Sequence, residues 1–301
     1  MRESAGLRLA VLFGSFFIAL LISSIFSKLI EEITWIDPRT RILLVSIVQS
    51  LIAFCGPAIL VAKFASSDWK GWLFLSRAPR MKAFAGVVVV YIISLPAMEW
   101  LVEFNANLHL PDSMQGIETT LRAWEDNAAT TTEILLNATG FWSVLSGILV
   151  IGILTGFSEE MFFRGGVEGI CLRTSMNKGM AIWAAAFIFS LMHFQFFGFL
   201  PRLLMGAFFG YLMVWTRSLW VPVFCHALNN SMVVIVSAIS ENPSQKLWDE
   251  GNSLIFGNWV GVVISILMTS VFLYYFKDKF FDNHTQSQET WQSQYPQATG
   301  K

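Results

Sequence analysis

The sequence predicts an all-α, polytopic membrane protein, with about eight transmembrane helices in a compact bundle around a polar core cavity. Three observations predict it. Of 301 residues, 54% are apolar and only 14% charged, whereas a soluble domain carries about 25% charged residues. So few polar groups cannot coat a water-facing surface of this size, and the mean hydropathy of +0.57 agrees. The apolar residues also gather into runs near the roughly 20 residues that a ~30 Å hydrocarbon core requires at ~1.5 Å per residue. Finally, the charges between these runs sort by side.

Eight runs bounded by charge, Pro or Gly lie at about residues 8–30, 41–64, 83–103, 142–172, 179–196, 200–216, 219–239 and 256–276. The first follows Arg2 and Arg8, is longer than a signal-peptide core and has no A-x-A site after it, so it is expected to be a retained span. Eight spans place both termini on one side. That side collects 14 of the 20 Lys and Arg residues, whereas Glu31, Glu32, Asp112, Glu118, Glu125 and Asp126 fall opposite. By the positive-inside rule the chain is an integral, multi-pass membrane protein with both termini cytoplasmic.

The connection over 104–141 contains Pro111 and an amphipathic stretch from Ile117 to Leu136, which fits a helical cap on the outer face or a solvated loop. The expected organisation is three N-terminal transmembrane helices plus this outer loop over 1–140, a core over 141–240, a last helix over 241–282 and a polar, disordered tail over 283–301. Small-residue pairs at four-residue spacing, Gly152/Gly156, Gly165/Gly169, Gly206/Gly210 and Gly257/Gly261, predict close helix packing.

Composition also excludes function classes. The net charge is −1 and no basic run is interleaved with aromatic residues, so no nucleic acid is expected as a partner. Cys55, Cys171 and Cys225 show no CxxC spacing, which argues against a disulfide framework or a cysteine zinc site.

An ionisable side chain inside hydrocarbon costs at least ~2.5 kcal/mol, so each one that persists is a functional candidate. The fourth run holds Glu159, Glu160 and Arg164, the fifth His193, and the seventh His226, Asn229 and Asn230. Glu160 and Arg164, four apart, share a helix face and can form an internal ion pair. Glu159 is turned by about 100° from Glu160 and is left without a local cation. Asn229 reads as a packing residue. Glu159 lies 14 residues from Arg173, His193 14 from Gly179, and His226 eight from Ser218. These separations correspond to roughly 21, 21 and 12 Å of depth, close enough for the groups to meet in one cavity if the helices tilt. A carboxylate, two imidazoles and a carboxamide gathered there can hydrolyse a peptide bond: the carboxylate takes a proton from water, an imidazole holds that water, and the remaining donors stabilise the oxyanion.

The pieces Glu159-Glu160-x-x-x-Arg164, Phe189-x-x-x-His193 and His226-x-x-x-Asn230 resemble, in order, the three signature motifs of the CPBP family. That family includes type II CAAX prenyl endopeptidases and bacterial enzymes linked to bacteriocin processing and self-immunity. The resemblance covers residues 142 to about 240. It implies an intramembrane glutamic-type endopeptidase without a metal or other cofactor, whose core cavity opens to the cytoplasmic side. Glu159 and His193 would activate water, His226 and Asn230 would stabilise the oxyanion, and Glu160 and Arg164 would orient the site. The implied partners are the lipid bilayer and a peptide or protein substrate, lipidated or not.

Two other readings use the same residues. Glu159, His193 and His226 are the ligand types of a hydrolytic zinc site, although the HExxH spacing is absent. A non-catalytic membrane scaffold that confers immunity by binding would retain the bundle without needing an ionisable Glu159.

Overall fold

The computed structural model describes residues 4–137, 140–239 and 259–281. Among them every regular element is helical. Helix α1 (Ala5–Glu31) starts at Ser4, whose Oγ accepts from the Leu7 N–H, and α2 (Pro38–Ala65) starts at Asp37 with Pro38 in its first turn. Both are N-terminus signatures that satisfy otherwise unpaired N–H groups. Then follow α3 (Met81–Ala106), α4 (Gln115–Leu136), α5 (Phe141–Leu172), α6 (Lys178–Leu191), α7 (Phe199–Thr216), α8 (Trp220–Ile239) and α9 (Trp259–Phe280).

Seven of these helices, all but α4 and α6, are long and apolar enough to cross a membrane, α7 counting from Phe196. The expected fifth span is shorter than its apolar run. Helix α6, capped at Asn177, has 14 residues and so reaches only about 21 Å. It ends in a tight turn in which Phe194 adopts φ +52°, and a 3-10 turn over Phe196–Gly198 leads into α7. Large apolar side chains remain exposed along the outside of the bundle, among them Phe17, Leu21 and Ile25 on α1 and Leu267 and Val271 on α9. Such a surface suits lipid.

Aromatic packing joins the first half of the chain to α5. Phe162, fully buried, meets the rings of Phe13, Phe16 and Phe54 at centroid distances of 4.8–5.9 Å. Two glycines permit the closest helix contacts around the site. A Cβ at Gly156 would lie 3.1 Å from the Ala227 backbone nitrogen of α8, and one at Gly206 would lie 3.3 Å from the Ala186 Cα of α6. Gly257 lies outside the described residues, as does the expected disordered tail 283–301.

Helix α4 lies across one end of the bundle. Its C-terminal carbonyls are held by Arg39 Nε on Leu135 O (2.9 Å) and Ser237 Oγ on Leu136 O (3.2 Å). At its start Glu118 accepts from the Leu110 N–H (2.8 Å) and from Arg122 (2.8 Å). Its middle rests on the turn between α6 and α7, with Arg122 4.0 Å above the Phe197 ring and Trp124 edge-on to Phe194 at 6.4 Å.

Candidate active site

Helix α5 carries the first motif on a short α-helical stretch, Gly156–Glu160, between two π-helical segments, Ile148–Thr155 and Met161–Glu168. π-Segments widen the helix and occur preferentially at functional sites. Glu160 and Arg164 are both fully buried, and Arg164 Nη1 donates to Glu160 Oε1 at 2.8 Å. The second guanidinium arm donates to Gly206 O at 2.8 Å, and the cation lies over the rings of Phe189 (4.6 Å) and Phe209 (5.2 Å). Arginine suits this place because a planar guanidinium can stack and hydrogen-bond at once.

The third motif, on α8, adds a contact that spacing could not reveal. His226 Nδ1 lies 2.8 Å from the same Glu160 Oε1. An ionised carboxylate only accepts, so Nδ1 carries the hydrogen and Nε2 faces away from Glu160. That Nε2 stands 3.8 Å from Glu159 Oε2. The imidazole is fixed in this pose by stacking on Phe209 (5.1 Å, 24°) and by the edge of Phe189 (5.9 Å, 90°).

His193 follows the end of α6. Its Nδ1 lies 2.8 Å from the Phe189 carbonyl oxygen. A carbonyl also only accepts, which again places the hydrogen on Nδ1 and leaves Nε2 available. The Phe189 ring packs edge-on to His193 at 4.9 Å, so one phenylalanine touches His193, His226 and Arg164. On α8, Asn230 Nδ2 donates to Ile151 O in the first π-segment at 3.2 Å, and Asn230 Oδ1 accepts from Asn229 Nδ2. The second Asn230 N–H is not used by either contact.

Glu159, Glu160, Arg164 and His226 thus form one chain of contacts. His193 joins it through Phe189, and Asn230 lies one helical turn beyond His226. Glu159 keeps 13% of its side chain exposed, whereas Glu160 has none. The two adjacent carboxylates therefore differ in kind: one is enclosed and paired, the other is open to a small molecule. Among the described residues no group of three His, Cys, Asp or Glu side chains is placed to hold a metal ion. The three cysteines are free and buried.

Two charged residues near the site escaped the reading of the motifs. Glu168, four residues after Arg164, is fully buried and neither carboxyl oxygen has a hydrogen-bond partner. The same four-residue spacing that marked Glu160 and Arg164 points to it. Arg202, near the start of α7, grips Gln195 with its guanidinium and lies within electrostatic reach of Glu159 and of Glu125 on α4. Burial pushes the Glu125 carboxyl up, and Arg202 and the Phe197 N–H act against that shift.

Comparison with known proteins places the similarity on this segment. Residues 141–232 match the family model described as type II CAAX prenyl endopeptidase Rce1-like. The chain is 33% identical over 89 residues to a Bacillus subtilis (strain 168) protein described as "Putative membrane peptidase YdiL", a match that spans 30% of this chain and 36% of that protein. The shared stretch is thus about a third of each. No solved structure matches the chain. The matched residues 141–232, which hold all three motifs, are thus similar to the type II CAAX prenyl endopeptidase Rce1-like model, and the similarity covers about a third of the chain.

Proposed function

We propose that the protein is an intramembrane glutamic-type endopeptidase. The observation that supports this best is the 3.8 Å approach of His226 Nε2 to Glu159 Oε2, with Glu160 held back by Arg164 and the His226 Nδ1–H. Glu159 accepts a proton from a water held by His193 Nε2, and the resulting hydroxide attacks the scissile carbonyl carbon. His226, protonated at Nε2, and the second Asn230 N–H donate to the oxyanion that forms. The proton held by Glu159 passes to the amide nitrogen as the C–N bond breaks, releasing an amine and a carboxylate. Glu160 and Arg164 orient the site, because Glu160 holds the Nδ1–H and so the tilt of His226, whose imidazolium form keeps its Nε2–H for the oxyanion.

Both termini face the cytoplasm in this reading, in which the shorter α6 completes eight crossings with the seven longer helices, as the distribution of basic residues supports. The substrate is a peptide or protein whose scissile bond lies near the membrane. Similarity of residues 141–232 to CAAX prenyl endopeptidases makes a prenylated Cys-aliphatic-aliphatic-X tail the first substrate to try. A zinc mechanism would employ the same two Nε2 atoms, and the Nδ1 contacts of both histidines resemble those that orient metal ligands. The glutamic reading is preferred because zinc ligation by Glu159 would leave Glu160 as the nearby base, and Glu160 is already engaged by Arg164 and His226. Peptide profiling by mass spectrometry of membranes from cells carrying the wild type or Glu159→Gln tests the proposal. Fragments present only with the wild type are expected. Identical profiles would favour the scaffold reading.

A further inference from the structure

Helix α6 ends short, so His193 does not sit on a hydrogen-bonded helix but at the entrance of a turn. The next residue, Phe194, is held at φ +52° while its side chain stays 67% exposed. A left-handed conformation at a bulky residue costs about 1–3 kcal/mol and persists only where its surroundings impose it. Burial of Phe194 does not impose it, so another contact must hold the turn.

That contact comes from α7. Arg202 Nη1 donates to Gln195 Oε1 at 3.0 Å and Nη2 donates to the Gln195 backbone carbonyl, so one guanidinium holds both oxygens of the residue two places after His193. The guanidinium lies directly on Gly198, where a Cβ would stand 2.7 Å from Nη1 and 2.8 Å from Nη2. The remaining nitrogen, Nε, is buried without a hydrogen-bond partner.

We propose that Arg202 is a positioning residue for the water-activating pair, clamping the His193 turn through Gln195. The inference rests on the assignment of Glu159 and His193 as that pair. Arginine is required for the full clamp, because a lysine ammonium cannot hold both Gln195 oxygens in a planar fork. A lysine can keep one of the two.

The test uses the full-length protein in liposomes and a fluorescence-quenched peptide ending in a prenylated Cys-aliphatic-aliphatic-X sequence. Arg202→Gln is expected to lower kcat about 100-fold, the cost of a misplacement near 1 Å, while KM changes less than about threefold because substrate contacts are untouched. Arg202→Lys is expected to recover about tenfold of that loss, by keeping one bond to Gln195 without the fork. Gly198→Ala leaves every charge in place yet displaces the guanidinium, and is expected to lower kcat like Arg202→Gln; it serves where Arg202→Gln does not fold. Amide hydrogen exchange over residues 192–198 is expected to accelerate in all three variants. Wild-type kcat in Arg202→Gln or in Gly198→Ala would overturn the proposal. So would equal kcat losses in Arg202→Gln and Arg202→Lys, or unchanged exchange in the turn. The Glu159→Gln variant keeps the two claims apart. If it still cleaves, the assignment of the base fails, whereas the exchange data continue to report on the clamp.

Discussion

Glu160 Oε1 accepts a hydrogen bond from His226 Nδ1 at 2.8 Å and from Arg164 Nη1 at the same distance, so one buried oxygen ties α8 to the first motif of α5. Adjacent carboxylates thereby differ in setting: Glu160 takes both donors on Oε1, and Glu159 meets the Nε2 side of the same imidazole.

Removing Glu160 tests how far that contact carries. Glu160→Leu leaves Arg164 buried without its carboxylate and His226 Nδ1–H without an acceptor. A loss of about 3–5 kcal/mol is expected, the usual cost of stranding one partner of a buried ion pair. Thermal unfolding in detergent measures it. The double variant Glu160→Leu/Arg164→Met, which removes both charges, should regain part of that stability while remaining inactive because His226 is no longer oriented.

Close approach of α5 to α8 depends on Gly156. Gly156→Ala would place a methyl 3.1 Å from the backbone nitrogen of Ala227, and backbone cannot swing aside as a side chain can. A destabilisation of about 1–3 kcal/mol is expected from overpacking, together with lower kcat as His226, next to Ala227, shifts. Gly14, with nothing near its ideal Cβ, is the control: Gly14→Ala should leave stability and activity unchanged.

The start of α4 should respond to acid. The Leu110 N–H, Arg122 and His109 around Glu118 hold its carboxyl down at about 2, below its ordinary 4.5. A lowered carboxyl favours the ordered state above its ordinary value, and that contribution is lost as the pH falls from 4.5 through 2. Hydrogen exchange over 108–122 should therefore quicken across that window. Glu118→Gln should exchange quickly already at neutral pH, with little further change on acidification.

Metal removal separates the two hydrolytic readings. Cleavage is expected to survive extended dialysis against a strong zinc chelator, because Glu159 is assigned as the base and not as a ligand. Loss of activity on chelation with recovery on adding zinc would reverse that assignment.

Much of the helical frame is legible from apolar run length, since a segment of about 20 apolar residues has few alternatives in a bilayer. The fifth run shows where length misleads. Composition stays apolar through Met192, Phe194, Phe196 and Phe197, yet hydropathy does not register that Phe194 turns left-handed, and the helix stops at Leu191. The Glu160–Arg164 pair was legible because four-residue spacing is a local property of a helix. The bond from His226 to Glu160 spans 66 residues and depends on how two helices rotate against each other, which spacing within either helix does not specify. The Arg202 contact is hidden for a related reason: it depends on the short α6 bringing the turn at Gln195 within reach of α7.

The most direct measurement is kcat of purified Glu159→Gln against wild type in liposomes, using the prenylated peptide and confirming the fold by thermal unfolding. Glutamine preserves size and cannot accept a proton from water. A wild-type unfolding temperature with kcat reduced at least about 100-fold, the scale of general-base catalysis, is the expected result. Cleavage at the wild-type rate by a folded Glu159→Gln protein would contradict the assignment of Glu159 as the base.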